Sequence, residues 1–247
     1  MPLHPLARLP IVKRFYPSLR KKWAKHMWPG GHKIIAYHGL RLIIHYRNYI
    51  DRQIAFYGGY EEAQVAYLLR AMRERTCDLF IDVGANFGLY TLQVAQSGAA
   101  AAVYAFEPDE RNAAQLGGNL YLNRLTDKVT LSRQAVSAQS GELTFNLYPE
   151  TSTGQTRAAE DGNAKLMATT LDETFAITNK KLFIKIDIEG HELSALQGGK
   201  NLLQNNDCFL QIESFPENAA AMAAYLGECG YGPIHRIDDD YFFARKS

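Results

Sequence analysis

The sequence predicts an α/β fold: a doubly wound, mostly parallel sheet with helices on both faces, preceded by a basic N-terminal extension. Three observations support this. Short β-rich apolar runs alternate with helical runs from Leu79 onward, the order that builds βαβ units and a covered parallel sheet. Several of these runs end in Gly or an acid just before a helix begins, as strands do where such sheets bind ligands. Charge is also divided along the chain. Residues 1–50 hold ten Lys/Arg and no acid, while residues 51–247 hold seventeen bases against twenty-six acids, although the 247-residue chain nets only +1.

Composition narrows the class further. An apolar fraction of 47% with 21% charged residues allows a sizeable core and excludes global disorder, collagen and a disulfide scaffold. Cys77, Cys208 and Cys229 lie far apart with no C-x-x-C spacing. That argues against a zinc ribbon and fits a reducing, cytoplasmic setting. No run of 18 apolar residues is present, so no bilayer-spanning helix is expected.

The elements follow in order. Leu19, Trp23 and Met27 recur at i, i+4, i+8 beside Trp28, with Arg20, Lys21, Lys22 and Lys25 between them. Ser18 can cap this short helix and Pro29-Gly30-Gly31 can end it. Pro5 and Pro10 interrupt the apolar stretch before it, unlike a secretory signal. A basic helix with Trp on its apolar face suits an anionic membrane surface, so residues 1–31 are expected to give peripheral attachment at the inner face of the membrane. The alternative is that the segment packs on the domain as a lid or a homodimer contact. Nucleic acid is not expected as a partner, because the remainder is acidic. The expected division is 1–50 as extension and 51–247 as the main domain.

Lys33–Tyr37 and Leu40–Tyr46 read as a hairpin around His38-Gly39. Arg47–Phe56 and Glu61–Arg73 read as helices. Strands are then expected at Leu79–Val83, Val103–Phe106, Val129–Val136, Leu182–Ile188 and Cys208–Glu213. The helices between them are Tyr90–Ser97, Asp109–Asn123, opened by Pro108 and acids, and His191–Leu203. Glu142–Tyr148 alternates toward a polar surface loop at Pro149–Asn163. Helix Asn218–Cys229 precedes a closing hairpin, Ile234–Ile237 with Tyr241–Ala244.

In such sheets the ligand lies at the carboxyl ends of the strands. The first ends in Asp82-Val83-Gly84-Ala85-Asn86-Phe87-Gly88. The spacing D-x-G-x-x-x-G is neither a nicotinamide fingerprint nor a P-loop. Gly84 and Gly88 permit close backbone approach to a ligand. Asp82 would repel a pyrophosphate but suits an ammonium group and hydroxyls. The next strand ends in Phe106-Glu107-Pro108, where an acid can accept both ribose hydroxyls. A cationic, ribose-bearing, phosphate-free ligand is S-adenosylmethionine.

After the fourth strand comes Lys185-Ile186-Asp187-Ile188-Glu189-Gly190-His191-Glu192. Alternation puts Lys185, Asp187 and Glu189 on one side if the strand runs that far. An acid inside an apolar strand is costly without purpose, which favours a role for Asp187. Glu192, in the first helical turn, fits capping. The Asp/Glu/His cluster also suits Mg²⁺, but no further acid pairs with it by spacing and no metal is expected. Glu213, ending the fifth strand, is a candidate partner in space.

Taken together, Phe80–Thr91 (FIDVGANFGLYT), Ala105–Pro108 (AFEP) and Lys185–Glu192 (KIDIEGHE) resemble the FkbM-type S-adenosylmethionine-dependent methyltransferases. Arg52–Glu61 (RQIAFYGGYE), Thr169–Asp172 (TTLD) and Leu210–Glu213 (LQIE) extend the resemblance over roughly residues 40–245. The resemblance implies the Rossmann-like class I methyltransferase fold, with a seven-stranded sheet whose last strand is antiparallel. It also implies O-methylation of a hydroxyl on a sugar, glycolipid or polyketide-type acceptor. By match, Asp82, Gly84, Ala85, Asn86, Gly88 and Thr91 serve the methionine side of the cofactor, Glu107 the ribose, and Ala135 and Val136 the adenine edge. Glu61 closes the site from the preceding segment.

Methyl transfer to a sugar hydroxyl needs in-line alignment and a base. Asp187 is the first candidate and His191 the second, with Glu189 orienting either. An N-methyltransferase on the same fold, which needs no strong base, and a non-catalytic cofactor-binding module are the alternatives.

Overall fold

The computed structural model describes residues 28–149, 152–159 and 161–246. Its centre is a seven-stranded sheet in the order β12-β13-β11-β10-β3-β4-β5. β3 (Leu79–Val83), β4 (Ala102–Phe106), β5 (Val129–Ser132), β10 (Lys181–Ile186) and β11 (Asp207–Glu213) run parallel. The last strand, β13 (Asp240–Arg245), runs antiparallel to β11 and to β12 (Tyr231–Ile237). This is the expected doubly wound arrangement with an antiparallel last strand.

The central strands are apolar on both faces, and alternation sends their side chains to two cores. Phe80, Phe183, Phe209 and Phe242 enter one core with α1 (Glu62–Arg75) and α2 (Leu89–Ser97). Ile81, Val83, Ile184, Ile186, Leu210 and Ile212 enter the other, which Leu196, Leu202, Met222 and Leu226 close from the helices on that side.

β1 (His32–Tyr37) and β2 (Leu40–His45) form the expected hairpin. His38 and Gly39 both have positive φ, 46° and 81°, the requirement of a type I′ turn. The outer edge of β2 is finished by side-chain amides of α3 (Glu110–Leu122) and the residue after it. Gln115 donates to the Ile43 carbonyl at 2.9 Å, while Asn119 and Asn123 accept from Ile43 and Arg41 N–H at 2.6 and 2.8 Å. Spaced i, i+4, i+8, these side chains satisfy strand groups that would otherwise stand unpaired. Asp51, the first acid of the chain, accepts from His45 N–H and Gln115. Leu40, Leu42 and Ile44 share the core of the main sheet, so the hairpin assigned by sequence to the extension is continuous with the domain after residue 51.

The expected basic helix lies outside the described residues except for its end. Trp28 is buried against Tyr46 and Phe56, with ring centroids 6.2 and 5.9 Å away. It therefore corrects the reading that placed it on a membrane-facing surface.

Three further expectations are corrected. The strand expected at Val129–Val136 breaks, and its end, β6 (Ala135–Val136), joins a separate four-stranded sheet ordered β6-β9-β7-β8. That sheet contains β7 (Gly141–Asn146), β8 (Arg157–Ala158) and an unforeseen strand, β9 (Ala164–Thr169). The stretch expected to be a surface loop contributes β8 and a turn, Thr153–Gln155. The helix expected at His191–Leu203 is two short ones, Glu192–Gln197 and Lys200–Asn205. They part at Gly198-Gly199, where a Cβ on Gly198 would lie 2.0 Å from the Ser137 carbonyl oxygen. Asp172 caps the second helix from a distance, accepting from Asn201 and Leu202 N–H at 3.0 and 2.7 Å.

Candidate active site

A cleft opens at the carboxyl ends of β3, β4, β10 and β11 and encloses about 960 Å³, including its open mouth. Its floor begins with the turn after β3. Gly84, at φ 85°, and Ala85 donate to the Phe106 carbonyl at 3.0 and 2.9 Å. A Cβ on Gly84 would stand 1.9 Å from the Asp187 carbonyl oxygen. A Cβ on Gly88 would stand 2.3 Å from Leu116. Neighbouring protein atoms thus crowd both positions, beside the close approach to a ligand that the sequence reading allowed them. Gly84 still lines the cleft, whereas Gly88 does not.

Asp82 is buried on this floor. Its Oδ2 accepts from Thr91 N–H at 3.0 Å and Thr91 Oγ1 at 2.5 Å. Its Oδ1 has no partner among the described residues. Thr91 does not line the cleft, and it acts by holding Asp82. Burial raises the Asp82 carboxyl above the usual range, against the pull of Lys185. Glu107 accepts from Asn86 N–H at 2.8 Å through Oε2 and from Asp109 N–H at 2.9 Å through Oε1. It therefore ties together the loops after β3 and β4. Burial pushes its carboxyl up to about 7. Asn112, Gln134, Ala135 and Val136 line this end, and the turn at Thr153–Thr156 covers it. That turn is held by Asn48 donating to Thr153 at 2.7 Å and by Thr156 donating to Asp109 at 3.1 Å.

The other end is acidic. Strand register puts Asp82, Lys185 and Gln211 in one row across β3, β10 and β11, and all three are buried. Lys185 pairs with Asp187 Oδ2 at 2.8 Å and lies 4.6 Å from the centre of the Tyr90 ring. Tyr90 donates to Glu61 at 2.9 Å and accepts from Gln211, which also donates to Asp240 at 2.7 Å. Burial opposes the charge on Lys185, yet Asp187, Glu61, Asp82 and Glu213 hold its ammonium protonated well above its ordinary value. The surplus of carboxyls raises the acids in turn. Asp187 and burial push Glu213 up to about 9, and burial with Asp187 and Asp240 pushes Glu61 up to about 7 despite Lys185.

β10 ends at Ile186, so Glu189 does not belong to the strand alternation. It sits in a turn at φ 54°, beside Gly190 at φ 100°. Glu192 closes that turn by accepting from Gly190 N–H at 2.7 Å, the capping part read for it. His191 contacts Ser137 Oγ through Nε2 at 2.9 Å, and burial lowers its pKa.

The structure thus brings Glu61, Asp82, Gly84, Ala85, Asn86, Glu107, Ala135, Val136, Asp187, Glu189 and His191 around one cleft. Tyr60, Tyr90 and Gln134 line it as well and were not singled out from sequence. Tyr90 stood inside the quoted motif, but its partners Glu61 and Gln211 are 29 and 121 residues away. The donor set fits a cationic ligand with vicinal hydroxyls. Asp82, which lines the cleft, has one buried carboxylate oxygen without a partner among the described residues, several carboxyls share one ammonium, and Glu107 retains lone pairs beyond its two backbone bonds.

The chain is 30% identical over 130 residues to "Hexuronic acid methyltransferase AglP" of Haloferax volcanii, covering 52% of each chain. It therefore spans about half the length of that curated relative. Among solved structures, methyltransferase FkbM from Methylobacillus flagellatus KT superposes with a TM-score of 0.50 at 20% identity, over 68% of this chain and 43% of that one. A SAM-dependent methyltransferase from Agrobacterium tumefaciens gives a TM-score of 0.50 at 10% identity, over 88% and 70%. These two likenesses show the class I methyltransferase fold. Residues 82–233 match the model of the methyltransferase FkbM domain. The chain belongs to the FkbM family of S-adenosylmethionine-dependent methyltransferases.

Proposed function

We propose that the protein transfers a methyl group from S-adenosylmethionine to a hydroxyl oxygen of a sugar-type acceptor. The observation that carries the reading is the carboxyl cluster around Lys185 in the same cleft that holds Glu107. A hydroxyl acceptor needs a base as its bond to carbon forms, and the presence of Asp187, Glu189 and His191 in the lining of the cleft supports this reading. The name of the Haloferax volcanii relative supports a sugar acid or related glycan as the acceptor class.

In this reading the free Asp82 Oδ1 receives the ammonium of the cofactor's methionine part. Glu107 receives the ribose hydroxyls, and Gln134, Ala135 and Val136 border the adenine. The bound cofactor supplies a methyl group on a sulfonium leaving group. The chain's own residues then orient the acceptor and take its proton. Asp187 accepts that proton, with Lys185 fixing its Oδ2. His191, held by Ser137, is the second candidate, and Glu189 borders both. Tyr90 acts through others, since it touches both Glu61 and Lys185.

Asp187→Asn tests the assignment. Turnover should fall by about a hundredfold or more, while affinity for S-adenosylhomocysteine changes little. Normal turnover in Asp187→Asn with loss in His191→Ala would exchange the two roles.

A further inference from the structure

We propose that Glu213 is a second acceptor-binding group beside Asp187: the two carboxyls grip oxygens on adjacent carbons of the acceptor, Asp187 taking the proton of the oxygen that is methylated and Glu213 donating a hydrogen bond to its neighbour. The proposal rests on the O-methylation reading above and narrows the acceptor to one that carries a vicinal diol.

The strands set the pair. β10 and β11 are parallel neighbours, and the last residues matched between them are Ile186 and Ile212. Asp187 and Glu213 are the next residue of each. Asp187 N–H donates to the Val83 carbonyl at 3.0 Å, so the bonding of the sheet continues through it. Side chains alternate along a strand, which puts both acids on the face that holds Lys185 and its register partner Gln211. Neighbouring strands lie about 4.8 Å apart, a spacing that brings two carboxyls to one small ligand. Both residues line the cleft.

Their partners separate their roles. Lys185 carries the one ammonium or guanidinium lining the cleft among the described residues, and its Nζ lies 2.8 Å from Asp187 Oδ2. No hydrogen bond or ion pair reaches the Glu213 carboxyl among the described residues. Asp187 and Lys185 face Glu213 from β10, Glu61 and Tyr60 from the segment before α1, and Asp240 from β13, where the two acids are register partners. Asp187 acts on Glu213 more strongly than burial does, and together they push its carboxyl up to about 9 in spite of Lys185. Glu213 therefore holds a proton at neutral pH and has one O–H to donate, whereas Asp187 has lone pairs to accept. A further ionised carboxyl would also favour the sulfonium before reaction, when its charge is about to be lost, and so raise the barrier. The acceptor oxygen bonds the methyl carbon as the carbon–sulfur bond breaks and its electron pair leaves with sulfur. The hydroxyl proton passes to Asp187, and the Glu213 proton stays in place.

Carboxyl-carbon NMR on the full chain loaded with S-adenosylhomocysteine reads the pair. The Glu213 resonance, identified by its loss in Glu213→Gln, should titrate near pH 9. In Asp187→Asn it should titrate about one pH unit lower or more. Titration of Glu213 in the ordinary carboxylate range, or a midpoint unmoved in Asp187→Asn, would overturn the proposal. Methyl transfer to a pool of extracted glycans reads the acceptor. Glu213→Leu should lower transfer at neutral pH about tenfold. Glu213→Gln keeps a neutral donor, so it should recover most of that loss and hold its rate past pH 9, where the wild type falls. All variants should still bind S-adenosylhomocysteine in calorimetry. Periodate oxidation of the pool, which cleaves vicinal diols, should abolish transfer. Transfer that survives periodate, or Glu213→Leu as active as the wild type, would overturn the proposal and leave the O-methylation reading standing. No transfer to the untreated pool by the wild type would overturn both.

Discussion

Replacing Glu107 with Gln separates charge from shape at the end of the cleft proposed for the ribose. In the wild type both carboxylate oxygens are used, accepting from Asn86 and Asp109 N–H at 2.8 and 2.9 Å. Gln keeps the length but presents an NH₂ to one of these donors, so one backbone bond is lost. It also removes the charge that strengthens bonds from ribose hydroxyls. A charge-assisted hydrogen bond contributes about 1.5–3 kcal/mol, so affinity for S-adenosylhomocysteine at pH 8 should fall roughly 10- to 150-fold. The pH dependence is a second signature. Burial places the Glu107 pKa at about 7, so the wild-type affinity should weaken as pH falls below about 7, approaching tenfold per pH unit. The variant should be flat across that window. For stability the sign is opposite. A carboxyl raised in the fold from its ordinary value of 4.5 to about 7 makes the fold bind more protons than the unfolded chain in that interval. Its contribution is present below about pH 4.5 and is lost as pH rises through about 7. Calorimetric titration from pH 5.5 to 8.5, with thermal unfolding in the same buffers, reads both effects. A flat wild-type affinity, or equal affinities at pH 8, would refute the assignment of Glu107 to the ribose.

Two further outcomes follow from the geometry. Gly84→Ala places a Cβ 1.9 Å from the Asp187 carbonyl oxygen at a φ of 85°, so overpacking and left-handed strain together should cost roughly 2–5 kcal/mol and lower Tm by roughly 5–15 °C in thermal unfolding. The ten bases before Asp51 predict that the full chain sediments with anionic vesicles at low salt and is released near physiological ionic strength, where screening acts within about 8 Å. Protein lacking residues 1–27 should keep its affinity for S-adenosylhomocysteine and lose the vesicles.

The sequence revealed the central sheet because its strands are buried on both faces and read as apolar runs. The acids ending β3 and β4 were legible for a related reason. Asp82 and Glu107 interrupt apolar surroundings at the places where such sheets bind ligands. The second sheet was hidden, since β7 and β9 are mostly half-exposed and their composition resembles that of a loop. The break at Gly198-Gly199 was hidden because its cause, the Ser137 carbonyl, is distant in the chain. The same holds for the purpose of Gly84, which answers to Asp187. Tyr90 shows the limit most clearly. Its motif marks it, but only the fold reveals that it joins Glu61, Lys185 and Gln211.

The most direct test of the central claim follows the methyl group itself. Purified protein, methyl-labelled S-adenosylmethionine and a pool of extracted glycans and glycolipids are incubated, and labelled products are resolved by mass spectrometry with linkage analysis. The account predicts label in a methyl ether on a sugar hydroxyl, dependent on Asp187. Label found only on nitrogen, or no transfer while S-adenosylhomocysteine still binds, would contradict it.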